Sequence, residues 1–279
     1  MLLKSIAEIL VSCLGFSYDK PCRYLISEEG KLTRCALDYS VPICKGIWCE
    51  PITEELMITA CDKLADVART LPNKISSGVT DLDLFLCGGF QYAEHVAVIG
   101  EPRTMTYLAM NIVFTANKRN IKAYYYTTSD GKRLSTIRKM VKDIGGTMCM
   151  VDDIVNFYVK IREGYQLLDM LKEMLEKAQK EGYEGLLIIR DSILKYMKEE
   201  ALIPKKILEW EKNLGTINLR SLLLISMFES EMLDKETRDF ITDTFSLVIE
   251  TRDTPPSLRV LKKEQGRASE WVGVELTVP

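Results

Sequence analysis

From residue 96 onward the chain alternates strand-length apolar runs with helix-length amphipathic segments, and no other feature of its 279 residues restricts the fold as tightly. The spacing predicts strands over Val96–Gly100, Lys122–Thr128, Thr147–Val151, Gly185–Ile189 and Ser221–Met227, with helices over Thr104–Lys118, Arg133–Ile144, Tyr165–Lys180, Lys205–Leu214 and Asp234–Thr242. Strands such as Gly185-Leu186-Leu187-Ile188-Ile189 are apolar throughout, the pattern of a strand covered on both faces. A helix between each pair supplies the crossover that a parallel sheet requires. Three further strands, Ser246–Glu250, Leu258–Lys262 and Val272–Val278, follow with little between them and predict an antiparallel edge.

The first quarter of the chain has another character. It holds six of the eight cysteines: Cys13, Cys22, Cys35, Cys44, Cys49 and Cys61. Apolar residues at helical spacing (Leu3, Ile6, Ile9, Leu10, Cys13) predict a helix over Leu2–Leu14, with Gly15 as its stop. Cys22–Ile26 and Leu32–Leu37 flank the turn residues Glu28–Lys31 and predict a hairpin. A second helix opens at Thr53, with Glu54 and Glu55 in its first turn, and runs to Leu71-Pro72. Pro72–Asn73 marks the boundary, giving a cysteine-rich α+β module over 1–72 and an α/β domain over 73–279. Cys22, Cys35, Cys44 and Cys49, spaced C-x12-C-x8-C-x4-C, are candidate ligands for Zn²⁺ or an iron–sulfur cluster, and the spacing lacks paired C-x-x-C knuckles. Small buried thiols or disulfides are the alternatives.

Lys and Arg number 37 against 40 Asp and Glu, mixed along the chain, for a net charge of -3. This provides no basic footprint for nucleic acid beyond a local patch. No run approaches the roughly 18 to 20 apolar residues of a membrane span, and Lys4 and Glu8 interrupt the apolar start, so a cytoplasmic protein without a membrane partner is expected.

Ile75-Ser76-Ser77-Gly78-Val79-Thr80-Asp81-Leu82-Asp83, then Gly88-Gly89-Phe90, precede a strand ending in Gly100-Glu101-Pro102. This arrangement resembles the KaiC-like branch of the RecA ATPases. Asp191-Ser192 after an apolar strand resembles that family's Walker B end, and Arg259-Val260-Leu261-Lys262-Lys263 with Gly266-Arg267 resembles its C-terminal hairpin. Leu208–Lys212 and Leu222–Glu229 are similar to the related MEDS sensory domains. The resemblance covers about three quarters of the chain. It implies a RecA-like, mainly parallel sheet flanked by helices with antiparallel C-terminal edge strands, and a protein partner or homo-oligomer.

The same resemblance locates a damaged nucleotide loop. In GxxxxGK[ST] the glycines let backbone N–H groups wrap the phosphates, the lysine reaches the β and γ phosphates, and Ser/Thr holds Mg²⁺. Here the place reads Gly100-Glu101-Pro102-Arg103-Thr104-Met105-Thr106-Tyr107, with the first glycine kept, the second absent and no lysine. The residues left to touch a nucleotide are Gly100, Arg103, Thr104, Thr106, Tyr107 and Asp191. The expected acidic pair after the second strand is reduced to Thr128-Ser129-Asp130, and Arg190 intrudes before Asp191, which reads equally as a helix N-cap. ATP held without turnover is the cofactor expectation, and no catalytic residue is assigned. A non-hydrolysing regulatory or sensory protein is therefore expected. A signalling ATPase with a non-standard loop, and a DNA-associated recombinase paralogue or transcription regulator, remain as alternatives. Tyr124-Tyr125-Tyr126 is expected as buried packing, His95 as a loop residue, and Lys262, Lys263 and Arg267 as a solvated edge or a contact to a neighbouring subunit's phosphate.

Overall fold

The computed structural model describes residues 25–28, 31–35, 38–42, 74–86, 89–128, 130–162, 167–199, 219, 221–263, 269 and 271–274. Near the N-terminus β1 (Leu25–Glu28), β2 (Lys31–Cys35) and β3 (Asp38–Pro42) pair antiparallel in that order. Glu28 faces Lys31, so the expected hairpin turns where the Glu28–Lys31 segment places it. The helices over 2–14, 53–71 and 205–214, the Pro72–Asn73 boundary, Gly266-Arg267 and the side chains of Cys22, Cys35, Cys44, Cys49 and Lys263 lie outside the described residues.

The chain continues through β4 (Lys74–Ile75), α1 (Thr80–Phe85), β5 (Phe90–Gln91), β6 (His95–Gly100), α2 (Pro102–Lys118), β7 (Ile121–Thr127), α3 (Gly131–Asp143), β8 (Cys149–Asp153), α4 (Ile154–Arg162) and α5 (Leu167–Lys180). Then come β9 (Gly185–Arg190), α6 (Ile193–Glu199), β10 (Leu222–Glu229), a 3-10 turn (Ser230–Met232), α7 (Lys235–Thr244), β11 (Leu247–Asp253), β12 (Pro256–Lys263) and β13 (Val272–Gly273). Apart from the β4–β5 pair, β6 to β13 form one eight-stranded sheet in the order β13-β12-β11-β6-β10-β9-β7-β8. All neighbours from β11 to β8 are parallel. Only β12 runs against its neighbours. The edge is thus narrower than the sequence suggested: β11 was expected as part of it but joins the parallel sheet beside β6, while β12 and β13 complete it.

Alternation along the strands divides the core in two. Val96 and Val98 of β6, Leu187 and Ile189 of β9, and Leu223, Ile225 and Met227 of β10 pack on one face under α1, α2 and α3. Ala97, Ile99, Leu186, Ile188, Leu222, Leu224 and Phe228 pack on the other under α4, α5, α6 and α7. This is the three-layer arrangement expected for the domain, a mainly parallel sheet between two layers of helices, with the central strands buried on both faces because helices cover both. The helix that follows β6 lies on one face and the helix that follows β10 on the other. Neighbouring strands whose connections leave to opposite faces open a crevice at their C-terminal ends, where α/β sheets bind ligands.

The sequence pattern assigned no element to Ile154–Arg162, which is helical although its β-branched and aromatic residues favour a strand; burial of Ile154, Phe157 and Tyr158 against the second face decides the matter. One expectation is corrected. His95 is the first residue of β6 and not part of a loop. It pairs with Leu224 of β10, is buried, and lies against Ser226 at 3.3 Å and the Phe245 ring at 4.1 Å.

Candidate functional site

The junction between β6 and α2 has no loop. Gly100 ends the strand, Glu101 is the N-cap and Pro102 already opens the helix. An uncapped helix start offers orphan N–H groups to an anion, but here they have other uses. Pro102 has no N–H to offer. Arg103 and Thr104 donate theirs to one carboxylate, Asp253 at the end of β11, at 3.2 and 2.7 Å. Glu101 reciprocates by accepting the Asp253 backbone N–H, and the Thr104 hydroxyl donates to the Arg252 carbonyl at 2.9 Å. An internal carboxylate therefore holds the positive end of the helix, where charge-assisted bonds of this kind are strong. Gly100 is needed for another reason: a Cβ there would stand 2.1 Å from Thr251 Oγ1 and 2.3 Å from its carbonyl oxygen.

Asp191, just beyond β9, is buried and well supplied with donors. Its Oδ2 accepts from the Tyr125 hydroxyl at 3.1 Å, the Thr127 hydroxyl at 3.3 Å and Arg133 Nη2 at 2.7 Å, and Ser192 donates to Oδ1 at 3.2 Å. Arg133, on the first turn of α3, also donates to Thr106 Oγ1 at 3.0 Å and so links α2 to the end of β9. Burial penalises the guanidinium's charge, but Asp191, Tyr125 and Glu229 outweigh that penalty and hold its pKa above the ordinary value. Burial, and then the charge of Asp191, push the Tyr125 phenol well up, so it serves as a donor. These bonds, not an N-cap to α6, are what Asp191 makes. The Tyr124-Tyr125-Tyr126 run is largely buried packing as expected, with the further role of Tyr125 at Asp191 added by the fold.

Around these groups lies a cleft of about 200 Å³ at the C-terminal ends of β6, β7, β9 and β10. Pro102, Met105 and Met232 supply apolar wall, and Asp130, Arg133, Asp191, Lys195, Glu229 and Glu231 supply charge. Asp130 caps α3 by accepting from the Lys132 N–H at 3.1 Å. That bond, with lesser help from Lys195, holds its carboxyl below the ordinary value. Glu229 ends β10 opposite Gly100 and is buried. Burial, and then the charge of Asp191, push its carboxyl up to about 7, against the opposing pull of its backbone hydrogen bond, Ser192 and Arg133.

Of the residues singled out in sequence, the structure brings Thr106 and Asp191 together through Arg133. It leaves the Arg103 side chain exposed and buries Thr104 beneath β11. Tyr107 is half-buried, and its carbonyl accepts from Asn111. The signature segment 75–83 serves as a latch: Asp83, fully buried, accepts from Ser76 Oγ at 2.5 Å and the Ser77 N–H at 2.6 Å. Lys262 turns inward to the carbonyls of Thr242 and Asp243 at 2.6 and 3.0 Å, closing the C-terminus of α7, so it forms no solvated edge. Sequence reasoning missed Arg133, Asp253 and Glu229. The last had a signal, an acidic residue closing the apolar run Leu222–Phe228. The first two are ordinary surface-type charges until the fold gives them partners. Among the described residues no group of three or more His, Cys, Asp or Glu is placed to hold a metal ion, and no helix is long and apolar enough to cross a membrane.

No family model and no curated protein matches the sequence. Among solved structures, the chain is similar to the ATPase domain of a helicase at 10% identity, covering 81% of this chain and 100% of that one, with a TM-score of 0.49. It is also similar to the flagellar accessory protein FlaH from Methanocaldococcus jannaschii at 14% identity, covering 67% of this chain and 87% of that one, with a TM-score of 0.41. The fold assignment rests on the strand order and the two helical layers.

Proposed function

We propose that this domain is a KaiC-like RecA scaffold in a regulatory or sensory role, binding a ligand or protein at the crevice of the sheet without hydrolysing nucleotide. One observation carries the reading: the backbone donors that would cradle a phosphate are bonded to Asp253. A triphosphate entering here must displace a carboxylate tethered at hydrogen-bond distance, with no lysine in the Gly100–Tyr107 segment to reach its phosphates and no loop to wrap it. The position available for Mg²⁺ fares no better, since Asp191 Oδ2 is bonded to a guanidinium, a tyrosine and a threonine. The residues present therefore do not fit a Mg²⁺–triphosphate group, and no hydrolytic step is assigned to them. Asp130, bonded to a backbone N–H and held in its ionised form, supports a capping role over that of a base that activates water.

Phosphate release from ATP with Mg²⁺ is expected to stay at the level of a protein-free blank, and a fluorescent ATP analogue to give a flat titration. Turnover that disappears in Asp191→Asn or Arg103→Ala would sink the proposal, because it would place chemistry on a carboxylate here given structural work or on the exposed Arg103 side chain.

A further inference from the structure

We propose that the cleft between the ends of β6, β7, β9 and β10 binds an organic cation, an ammonium or guanidinium group on an aliphatic stem. The inference rests on the reading above that the cleft is no nucleotide site. The charges in the cleft are unevenly matched. Arg133 stands 2.7 Å from Asp191 and Lys195 stands 3.6 Å from Asp130, each cation beside one carboxylate. Glu229 and Glu231 line the same space without an ion pair among the described residues.

The second observation concerns one atom. Glu229 is 7% exposed, and its Oε2 is buried without a hydrogen-bond partner. A buried acceptor left without a donor costs free energy, and a charged one costs more. What the atom lacks is an N–H donor, preferably a cationic one.

The chemistry of the wall narrows the class. Phosphates and carboxylates bring only acceptors and would face two carboxylates that form no ion pair at contact distance among the described residues. Ammonium and guanidinium groups bring only donors and positive charge. A divalent ion needs a cluster of oxygen ligands, and the described residues offer none. Pro102, Met105 and Met232 provide apolar surface on which a methylene stem can lie while its charged end reaches Glu229. The volume, about 200 Å³, falls below the roughly 300–1,000 Å³ of drug-sized sites and suits a single amine or one extended side chain.

Glu229 also makes the binding proton-coupled. The groups facing it in the cleft are Asp191, Ser192 and Arg133, with Asp130, Lys195 and Glu231 on the surrounding elements. Its carboxyl is half-protonated near pH 7, and a cation favours the ionised form.

Calorimetric titration of the full chain with agmatine, an acetylated arginine amide and Mg²⁺–ATP tests this. Saturable agmatine binding is expected, tightening about tenfold from pH 6 to pH 8 as one proton is released. Glu229→Gln keeps the shape and is expected to lose at least that factor together with the pH dependence. Should that variant fail to fold, proton release on the native chain, measured in two buffers of different ionisation enthalpy, reads the same coupling. Agmatine binding stronger than that of the arginine amide points to a free amine, and the reverse points to a side chain of a partner protein; either supports the proposal. Agmatine binding that is independent of pH and unchanged in Glu229→Gln overturns it, as does no binding of either cation. A silent Mg²⁺–ATP titration beside such a failure leaves the non-hydrolysing reading standing, whereas Mg²⁺–ATP binding without cation binding overturns this proposal together with its premise that the cleft is no nucleotide site, and turnover of the bound ATP removes the non-hydrolysing reading as well.

Discussion

A carboxyl group buried at the end of β10 places two demands on one side chain. Glu229 is held by the backbone of a central strand, and its head is buried where it meets the charge of Asp191. Its pKa of about 7, against an ordinary 4.5, ties stability to pH. Below pH 4.5 the group is protonated in both folded and unfolded chains. As pH rises from 4.5 toward 7 the unfolded chain ionises first, so the stability this group contributes is lost across that window and stays lost above it. The loss is about 3 kcal/mol. Urea unfolding at pH 5 and pH 8 is expected to show that decline in the native chain and a much smaller one in Glu229→Gln. Equal declines in the two proteins would mean that other groups carry the titration. Arg133 has the opposite character. Its charge is stabilised by what surrounds it, and its ion pair with buried Asp191 fixes the spacing of α2, α3 and β9.

At the scale of elements, the strand-to-helix junction after β6 explains how much of the site the sequence could disclose. The absence of a GxxxxGK[ST] pattern after β6 was legible from the missing lysine and the Met at 105. That no loop exists, and that α2 begins two residues after Gly100, was not legible, because Asp253, the residue that receives the helix donors, lies about 150 positions away. Gly100 shows the same limit. In sequence it reads as the surviving glycine of a phosphate loop. In the fold its missing side chain leaves room for Thr251 where β11 pairs with the end of β6. Gly100→Ala is accordingly expected to cost about 3 kcal/mol in chemical denaturation, the magnitude of overpacking against backbone that cannot give way. A change within experimental error would show that β11 can shift. Most strands and helices of the α/β domain, by contrast, were legible to within two or three residues, since burial on both faces writes itself into continuous apolar runs. Helix α4 was not, because Ile154-Val155-Asn156-Phe157-Tyr158 has a strand-like composition and only packing against the second face makes it helical.

For the molecule as a whole, strand order is the property that sequence periodicity cannot supply, and it determines both the site and the distribution of stability. Because β10 and β9 insert between β6 and β7, the crossover through α2 spans two strands, and the crevice opens between strands whose helices leave to opposite faces. The same insertion puts β10 at the centre, paired on both sides and buried at every position, whereas β8 lies at one edge of the sheet with Met150 exposed and β13 contributes two residues at the other. Amides exchange with solvent through local openings whose free energies follow burial and pairing. Native-state hydrogen exchange is therefore expected to leave Leu223–Phe228 and Val96–Ile99 protected the longest, with β8 and β13 exchanging orders of magnitude sooner. Protection in β8 equal to that in β10 would require a further element paired along that edge. Slow exchange at Arg103 and Thr104 matching that of the centre would show that the Asp253 latch opens only when the sheet itself unfolds, which is the condition for an internal carboxylate to exclude phosphate from this helix throughout the life of the folded protein.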